Sequence, residues 1–205
     1  MPIPSIIINS IIAIASPVAW LSLLLGDGGE RELSARGVQS LKYYTVLSNL
    51  FSGAASTIYA AQLVAYGSAS AWTLALKLVA TSTVMLTLLV TALFLAPTLG
   101  VRAMYRSGNF RMHLILPLLA AVDLCVFVPV RTLSPWSVLL AMIPTGLYTA
   151  WYVYRVLRFG AEKDGKVYDF YEFMRWGLDK VPVVALAMVS STSVIAGILY
   201  LLGAS

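Results

Sequence analysis

Charged side chains are scarce in this 205-residue chain: Asp, Glu, Lys and Arg together make up only 11% of it. A soluble domain carries roughly 25% charged residues, because its surface must face water. Hydrophobic residues make up 60% of the sequence, and helices that face lipid need no charge on their outer sides. The composition therefore excludes an ordinary soluble domain and predicts an integral membrane protein.

Cysteine and histidine are nearly absent as well. Cys125 and His113 are the only residues of their kinds, so no disulfide can form within the chain and a metal site built from these ligands is not expected. The sequence has no glycine-rich nucleotide loop and no DNA-binding motif. We expect no cofactor, no bound metal and no nucleic-acid partner.

Long apolar runs dominate the sequence instead. A membrane-spanning helix needs about 20 mostly apolar residues. Six runs qualify, at about residues 3–25, 43–66, 72–96, 112–130, 136–156 and 181–202. A cleaved signal peptide is the alternative for the first run, but this run lacks a basic start and is long for that purpose. We predict an all-α polytopic bundle of about six transmembrane helices, one domain over residues 1–205, with both termini on the same side.

The basic residues are distributed unevenly between the predicted connections. Twelve of the fourteen fall on one side of the six-span topology: Arg31, Arg36, Lys42, Arg102, Arg106, Arg111, Arg155, Arg158, Lys163, Lys166, Arg175 and Lys180. Only Arg131 and Lys77 lie elsewhere. The positive-inside rule places the basic side in the cytoplasm and both termini on the opposite side of the membrane. Anionic lipid headgroups are then expected partners of the basic side.

The longest predicted connection, residues 162–180, has helical periodicity. Its apolar residues recur at Val167, Phe170, Tyr171, Met174 and Leu178. The pattern predicts a short amphipathic helix that lies at the membrane interface. We interpret it as an anchoring connector in preference to a functional lid.

Polar side chains form one face of the second predicted span. The members of this face are Thr45, Ser48, Asn49, Ser52 and Ser56. Their helical spacing places them on one side of the helix, and that side must point into the bundle because polar groups are costly in lipid. Spacing alone favours close helix packing through small and hydroxylated residues.

His113 stands near the start of the fourth predicted span, where Pro117 predicts a kink. Taken alone, a histidine at this position is typical of the headgroup zone. Thr45 nevertheless enters the membrane from the same side at a similar depth, because the second and fourth spans run in the same direction. A hydroxyl nucleophile and its general base must lie about 3 Å apart, and the predicted topology permits this without requiring it.

Asp123 and Lys77 are ionisable residues predicted to lie inside the membrane. Asp123 is roughly 15 Å deeper than His113, at about 1.5 Å per residue, so it cannot orient that ring. Lys77 enters the third span from the opposite side, and its long side chain can reach toward Asp123. We hypothesise a buried Asp123–Lys77 pair that fixes helix packing or lines a water-filled cavity.

Two short motifs resemble a known family. They are Tyr44-Thr45-Val46-Leu47-Ser48-Asn49-Leu50 and His113 followed by Pro117 and Asp123. Both are similar to stretches of prokaryotic six-span relatives of the androgen-induced gene 1 protein and the androgen-dependent tissue-factor-pathway-inhibitor-regulating protein. The resemblance implies an all-helical membrane fold. The eukaryotic members hydrolyse fatty acid esters of hydroxy fatty acids with an essential threonine and histidine, which correspond to Thr45 and His113.

The resemblance implies a nucleophilic role for Thr45 and a general-base role for His113. Asn49, one turn away from Thr45, is a candidate oxyanion donor or a packing residue, and Ser48 could orient a water or the histidine. Asp169 and Glu172 are on the predicted basic side, but spacing does not place either as an orienting group. A transporter or channel, and a non-catalytic lipid-binding protein, are the competing hypotheses.

Overall fold

A computed structural model describes residues 3–25, 37–105 and 107–204. The fold is all-α. The long helices are α1 (Ile3–Leu25), α2 (Tyr44–Tyr66), α3 (Ala71–Val90), α4 (Leu116–Phe127), α5 (Met142–Phe159) and α6 (Val181–Leu202). Each of these six helices overlaps one of the six apolar runs of the sequence, although α5 extends three residues beyond its run.

Shorter elements extend or connect the long helices. A π-helical turn, Thr91–Leu95, and a helical turn, Ala96–Leu99, prolong α3. A second π-helical turn, Arg111–Ile115, leads into α4. A 3₁₀ helix, Pro135–Ala141, leads into α5. The remaining connections contain 3₁₀ helices at Gly37–Lys42 and Val130–Thr132 and helical turns at Val101–Met104 and Ser107–Phe110.

Three helical stretches in the described ranges are long and apolar enough to cross a membrane: Ile3–Ser22, Ala71–Thr98 and Leu178–Leu202. They include most of α1, α3 with its extension, and α6. Helix α2 carries the polar face noted above, and α4 itself has only 12 residues. The structure therefore supports a membrane protein, while six crossings remain a prediction.

Helix α3 is the centre of the bundle. It packs against α2, α4 and α6, and α1 lies against both α2 and α4. The apolar stretch of α3 is 56% buried, against 28% for α1 and 22% for α6. The exposed sides of α1 and α6 carry large aliphatic residues such as Ile14 and Leu186, as expected of surfaces that face lipid.

The two ends of the bundle have different cores. At one end, Ala19, Tyr43, Val46 and Met112 pack together with aromatic residues that follow α5. At the other end, the core contains Tyr59, Leu63, Leu74, Leu78, Leu124, Val128, Val130 and Leu199. We call the first end the basic end. The residues before α2, the connection from α3 to α4, the end of α5 and the α5–α6 connection meet there, and they carry nine of the eleven described basic residues.

The prediction of an amphipathic helix at residues 162–180 is wrong. Strands β1 (Glu162–Lys163) and β2 (Lys166–Val167) pair antiparallel, and 3₁₀ helices follow at Phe173–Trp176 and Leu178–Lys180. Gly160 and Gly177 have φ of 74° and 104°. These left-handed conformations favour glycine and interrupt a continuous helix.

Residues 169–176 form what we call the aromatic cap of the basic end. The ring of Phe170 lies 5.2 Å from those of both Tyr43 and Tyr152, and the Phe173 ring also lies 5.2 Å from Tyr152. The carboxylate of Asp169 accepts hydrogen bonds from the backbone N–H groups of Phe173 and Met174, each at 2.8 Å. Of the apolar residues that gave the helical pattern, Phe170, Tyr171 and Met174 pack against the bundle, whereas Val167 and Leu178 are exposed.

Close contact between α1 and α2 depends on Gly53. A Cβ atom at this position would lie 2.9 Å from Ser16 Cβ and 3.2 Å from its Oγ. We expect Gly53→Ala to lower the free energy of unfolding in detergent by about 1–3 kcal/mol, because a closely packed interface resists added volume. Gly197→Ala in α6 is the control, since no atom within 4 Å meets its new methyl group. Equal melting temperatures for the two variants would contradict this prediction.

Candidate functional site

Thr45 lies in the first turn of α2, at the basic end. Its side chain is buried, with 6% exposure. The start of this helix has no side-chain cap from Tyr43. The Tyr44 N–H donates instead to the hydroxyl of Tyr171 in the aromatic cap, at 2.8 Å. Burial raises the pKa of Tyr171, so this hydroxyl stays protonated at neutral pH and the cap is a neutral hydrogen bond.

His113 is buried in the π-helical turn that precedes α4. Its Nδ1 lies 3.0 Å from the carbonyl oxygen of Met104. A carbonyl only accepts hydrogen bonds, so Nδ1 must carry the proton, and in the neutral ring Nε2 then bears the free lone pair. No described residue forms a hydrogen bond with Nε2. The ring is therefore held in the tautomer that a general base at Nε2 requires.

Asn49 joins the turn that contains Thr45 to the turn that contains His113. Its Nδ2 donates to the carbonyl oxygen of Thr45 at 2.8 Å and to that of Met112 at 3.1 Å. Both amide hydrogens are then used, because an amide nitrogen carries only two. The predicted oxyanion donation by Asn49 does not fit this geometry, and its side chain positions the two turns instead.

Ser48 points from α2 toward α3. Its Oγ lies 2.9 Å from Thr87 Oγ1 and 3.1 Å from the carbonyl oxygen of Thr45. It makes no hydrogen bond to His113, so the structure gives no support to its predicted role in orienting the histidine. Ser48 links α2 to the central helix.

Within the described ranges, no hydrogen bond joins Thr45 to His113. The turns that contain them are nevertheless adjacent, because Asn49 donates hydrogen bonds to the carbonyl oxygen of Thr45 and to that of Met112, the residue before His113. Catalytic hydrogen bonds are often long in a protein without substrate and tighten when the substrate binds. The structure brings the two turns together and leaves the two side chains unpaired with each other.

Thr45 lines a small cavity of about 20 Å³ between α2 and α3. A larger cavity of about 510 Å³ lies between α3, α6 and the aromatic cap. The two share wall residues: Leu86, Val90, Leu95, Tyr171, Phe173 and Met188. Met104, whose carbonyl holds His113, also lines the larger cavity. A mostly apolar space of this volume has the size of a small-molecule site, which is typically about 300–1,000 Å³.

Neither carboxylate considered as an orienting group, Asp169 or Glu172, forms a hydrogen bond with His113. Asp169 is buried, and it accepts a hydrogen bond from the hydroxyl of Tyr152 as well as those from the backbone of the cap. Glu172 is exposed. The group that orients His113 is the backbone carbonyl of Met104, and residue types in the sequence give no signal for such a partner.

A second polar cluster lies at the opposite end of the bundle. Lys77 Nζ lies 3.3 Å from Asp123 Oδ2, and both side chains are at most 1% exposed. Asn9 bridges the two, with Nδ2 2.7 Å from Asp123 Oδ2 and Oδ1 2.7 Å from Lys77 Nζ. Ser5 Oγ donates to the other oxygen of Asp123, and Lys77 also donates to Ser56.

The sequence predicted the two charged members of this cluster but missed Ser5 and Asn9. Their spacing of four residues places them on one face of α1, which was the only available signal. The cluster is enclosed and lies away from the basic end, so it is separate from the Thr45 site. Among the described residues, no group of three His, Cys, Asp or Glu side chains is arranged to hold a metal ion.

Comparisons with protein-family models, with curated proteins and with solved structures find no match to this chain.

Proposed function

We propose that this protein is a membrane-embedded lipid ester hydrolase in which Thr45 is the nucleophile and His113 the general base. The observation that carries the proposal is the hydrogen bond from His113 Nδ1 to the Met104 carbonyl. It leaves Nε2 basic in a buried turn that Asn49 holds beside the turn of Thr45. The resemblance of the two sequence motifs to the threonine hydrolases supports the same roles.

The reaction proceeds in two steps. Thr45 Oγ1 attacks the carbonyl carbon of the ester while its proton passes to His113 Nε2. The tetrahedral intermediate expels the alcohol, which takes that proton and leaves an acyl group on Thr45. Water then attacks the acyl-enzyme, His113 accepts a proton from it, and the carboxylic acid leaves as the proton returns to Thr45.

Thr91 is the better candidate for stabilising the oxyanion, since both amide hydrogens of Asn49 are engaged. Thr91 lines the same small cavity as Thr45. Its hydroxyl is buried and has no hydrogen-bond partner in the described part of the chain. A free donor beside the nucleophile is the arrangement that stabilises charge as it develops on the carbonyl oxygen.

The substrate is a lipid ester, resembling a fatty acid ester of a hydroxy fatty acid. The cavity of about 510 Å³ is walled mainly by apolar residues of α3 and α6, which suits an acyl chain. Large apolar residues at its edge, such as Phe94 and Trp176, are about half exposed. In a six-span membrane topology with the basic end in the cytoplasm, substrate enters sideways from the cytoplasmic leaflet.

Covalent labelling of the nucleophile tests the proposal. Detergent-purified protein should hydrolyse a fluorogenic long-chain acyl ester, and a long-chain alkyl fluorophosphonate should phosphonylate the protein with loss of fluoride. Peptide mass spectrometry is expected to locate the adduct on Thr45, because only an activated hydroxyl reacts readily. Turnover with the label on another residue would overturn the assignment of the nucleophile.

A non-catalytic lipid-binding protein is the second candidate, favoured by the missing hydrogen bond between Thr45 and His113. It predicts that lipid co-purifies with the protein while neither turnover nor labelling occurs with any ester tested. An enzyme whose cavity is filled by a tightly bound acyl chain would also show no turnover as purified. Removing the bound lipid and repeating the assay distinguishes such an occupied enzyme from a binding protein. Turnover that appears after delipidation would favour the hydrolase.

A further inference from the structure

Two half-buried cations lie at the basic end: Lys42 just before the start of α2 and Arg155 near the end of α5. Lys42 Nζ lies 5.3 Å from the centre of the Tyr43 ring and 5.0 Å from that of Phe170. Arg155 Cζ lies 5.0 Å from the Trp151 ring and 4.8 Å from that of Tyr168. Aromatic rings therefore hold both cations in place.

Neither cation has a carboxylate partner in the part of the chain that the structure describes. The ion pairs found there are Lys77–Asp123 and Lys180–Asp179. Asp169 lies next to Phe170 in the chain, but its oxygens accept hydrogen bonds from Tyr152 and the backbone of the aromatic cap. Burial, and after it the charge of Arg155, lowers the pKa of Lys42. An anion placed between these two cations would relieve their repulsion.

An apolar groove of about 410 Å³ begins at the same place and runs between α2 and α5. Leu41, which precedes Lys42, and Trp151, whose ring lies against Arg155, line the end of the groove nearest the cations. Phe51 and Pro144 line its far end. From Tyr44 to Phe51 the groove follows α2 over seven positions, or roughly 10 Å of helix at about 1.5 Å per residue. Leu147 in its wall is 70% exposed, so the groove opens outward.

We propose that Lys42, Arg155 and this groove form a binding site for one anionic phospholipid. The phosphate lies between the two cations, and an acyl chain follows the groove between α2 and α5. The phosphate supplies the negative charge that neither cation finds among the described residues. Trp151, between the proposed headgroup and acyl chain, is a residue typical of the membrane interface. The site is distinct from the cavity that Thr45 lines, and it does not depend on ester hydrolysis.

The test measures lipid binding to the full-length protein in detergent by intact-complex mass spectrometry. The probe is phosphatidylglycerol, compared with phosphatidylcholine that carries the same acyl chains. We expect tighter binding of phosphatidylglycerol, and a loss of about tenfold or more in its affinity when Lys42→Gln and Arg155→Gln are combined, because both charges that attract the anionic headgroup are then gone. Phosphatidylcholine binding should change little.

Two further variants distinguish a defined site from general attraction to a basic surface. Arg158→Gln with Lys163→Gln removes two charges from the same end but not from the groove, and should weaken binding much less. Leu147→Trp narrows the groove from an exposed position without altering charge, and should weaken binding of phosphatidylglycerol. Equal losses for the two charge variants would overturn the site in favour of general attraction to a basic surface. Displacement of the lipid by an equal concentration of glycerol 3-phosphate would overturn the role of the groove.

Discussion

Thr45→Ala and His113→Gln are each expected to reduce hydrolysis of a long-chain ester by about a thousandfold or more. Removing the nucleophile eliminates the acyl-enzyme route, and removing the general base leaves the hydroxyl unactivated. The measurement is kcat/KM for a fluorogenic ester with purified variants. The double variant should be little worse than either single one, because the two residues act as a unit.

Two controls separate chemistry from folding. Thr45→Ser keeps a hydroxyl and should retain measurable turnover. Thr81→Val removes a buried hydroxyl of α3 that also has no partner in the described ranges, but it does not line either cavity at the basic end. Its turnover should remain close to that of the original protein. Full activity in Thr45→Ala with unchanged melting behaviour would exclude Thr45 as the nucleophile.

Asp123→Leu is expected to destabilise the protein by about 3–5 kcal/mol, because it leaves the ammonium of Lys77 buried without its counter-charge. Asn9 and Ser5 lose hydrogen-bond acceptors in the same variant. The double variant Lys77→Met with Asp123→Leu should recover part of this loss, since both charges are then gone. Thermal unfolding followed by size-exclusion chromatography in detergent measures the effect.

The exposed ion pair Lys180–Asp179 provides the matched control. Its side chains are 57% and 72% exposed, and exposed pairs contribute only about 0–1 kcal/mol. Asp179→Asn should therefore leave the melting temperature nearly unchanged. A double variant of Lys77 and Asp123 that fails to fold, beside single variants that fold normally, would refute the idea that the two charges compensate each other.

Helix positions followed from the sequence because long apolar runs admit few structures. The bounds of α1, Ile3–Leu25, are those of the predicted run, and α2 begins one residue later than predicted. Hydrophobic periodicity, in contrast, does not reveal π-helical turns. The turns Thr91–Leu95 and Arg111–Ile115 set the positions of Thr91 and His113. The hydrophobic pattern therefore could not predict the local geometry of the site.

The prediction of a helix in the α5–α6 connection was wrong for a different reason. Its apolar residues have helical spacing, but Gly160 and Gly177 at positive φ break the backbone, and packing against Tyr43 and Tyr152 decides the conformation. The contact between Tyr43 and Phe170 joins residues more than a hundred positions apart. Asn49 illustrates the same limit, because its two acceptors belong to different helical segments.

The hydrogen bond from Tyr44 to Tyr171 joins residues 127 positions apart, and this has a consequence for biosynthesis. Thr45 and His113 both lie in the first 113 residues of the chain, which leave the ribosome first. The cap on the first turn of α2 comes from a segment made much later, after α5. A nascent chain that already holds Thr45 and His113 therefore still lacks the hydrogen bond that caps the first turn of α2, and the proposed chemistry becomes available only after the α5–α6 connection has been made.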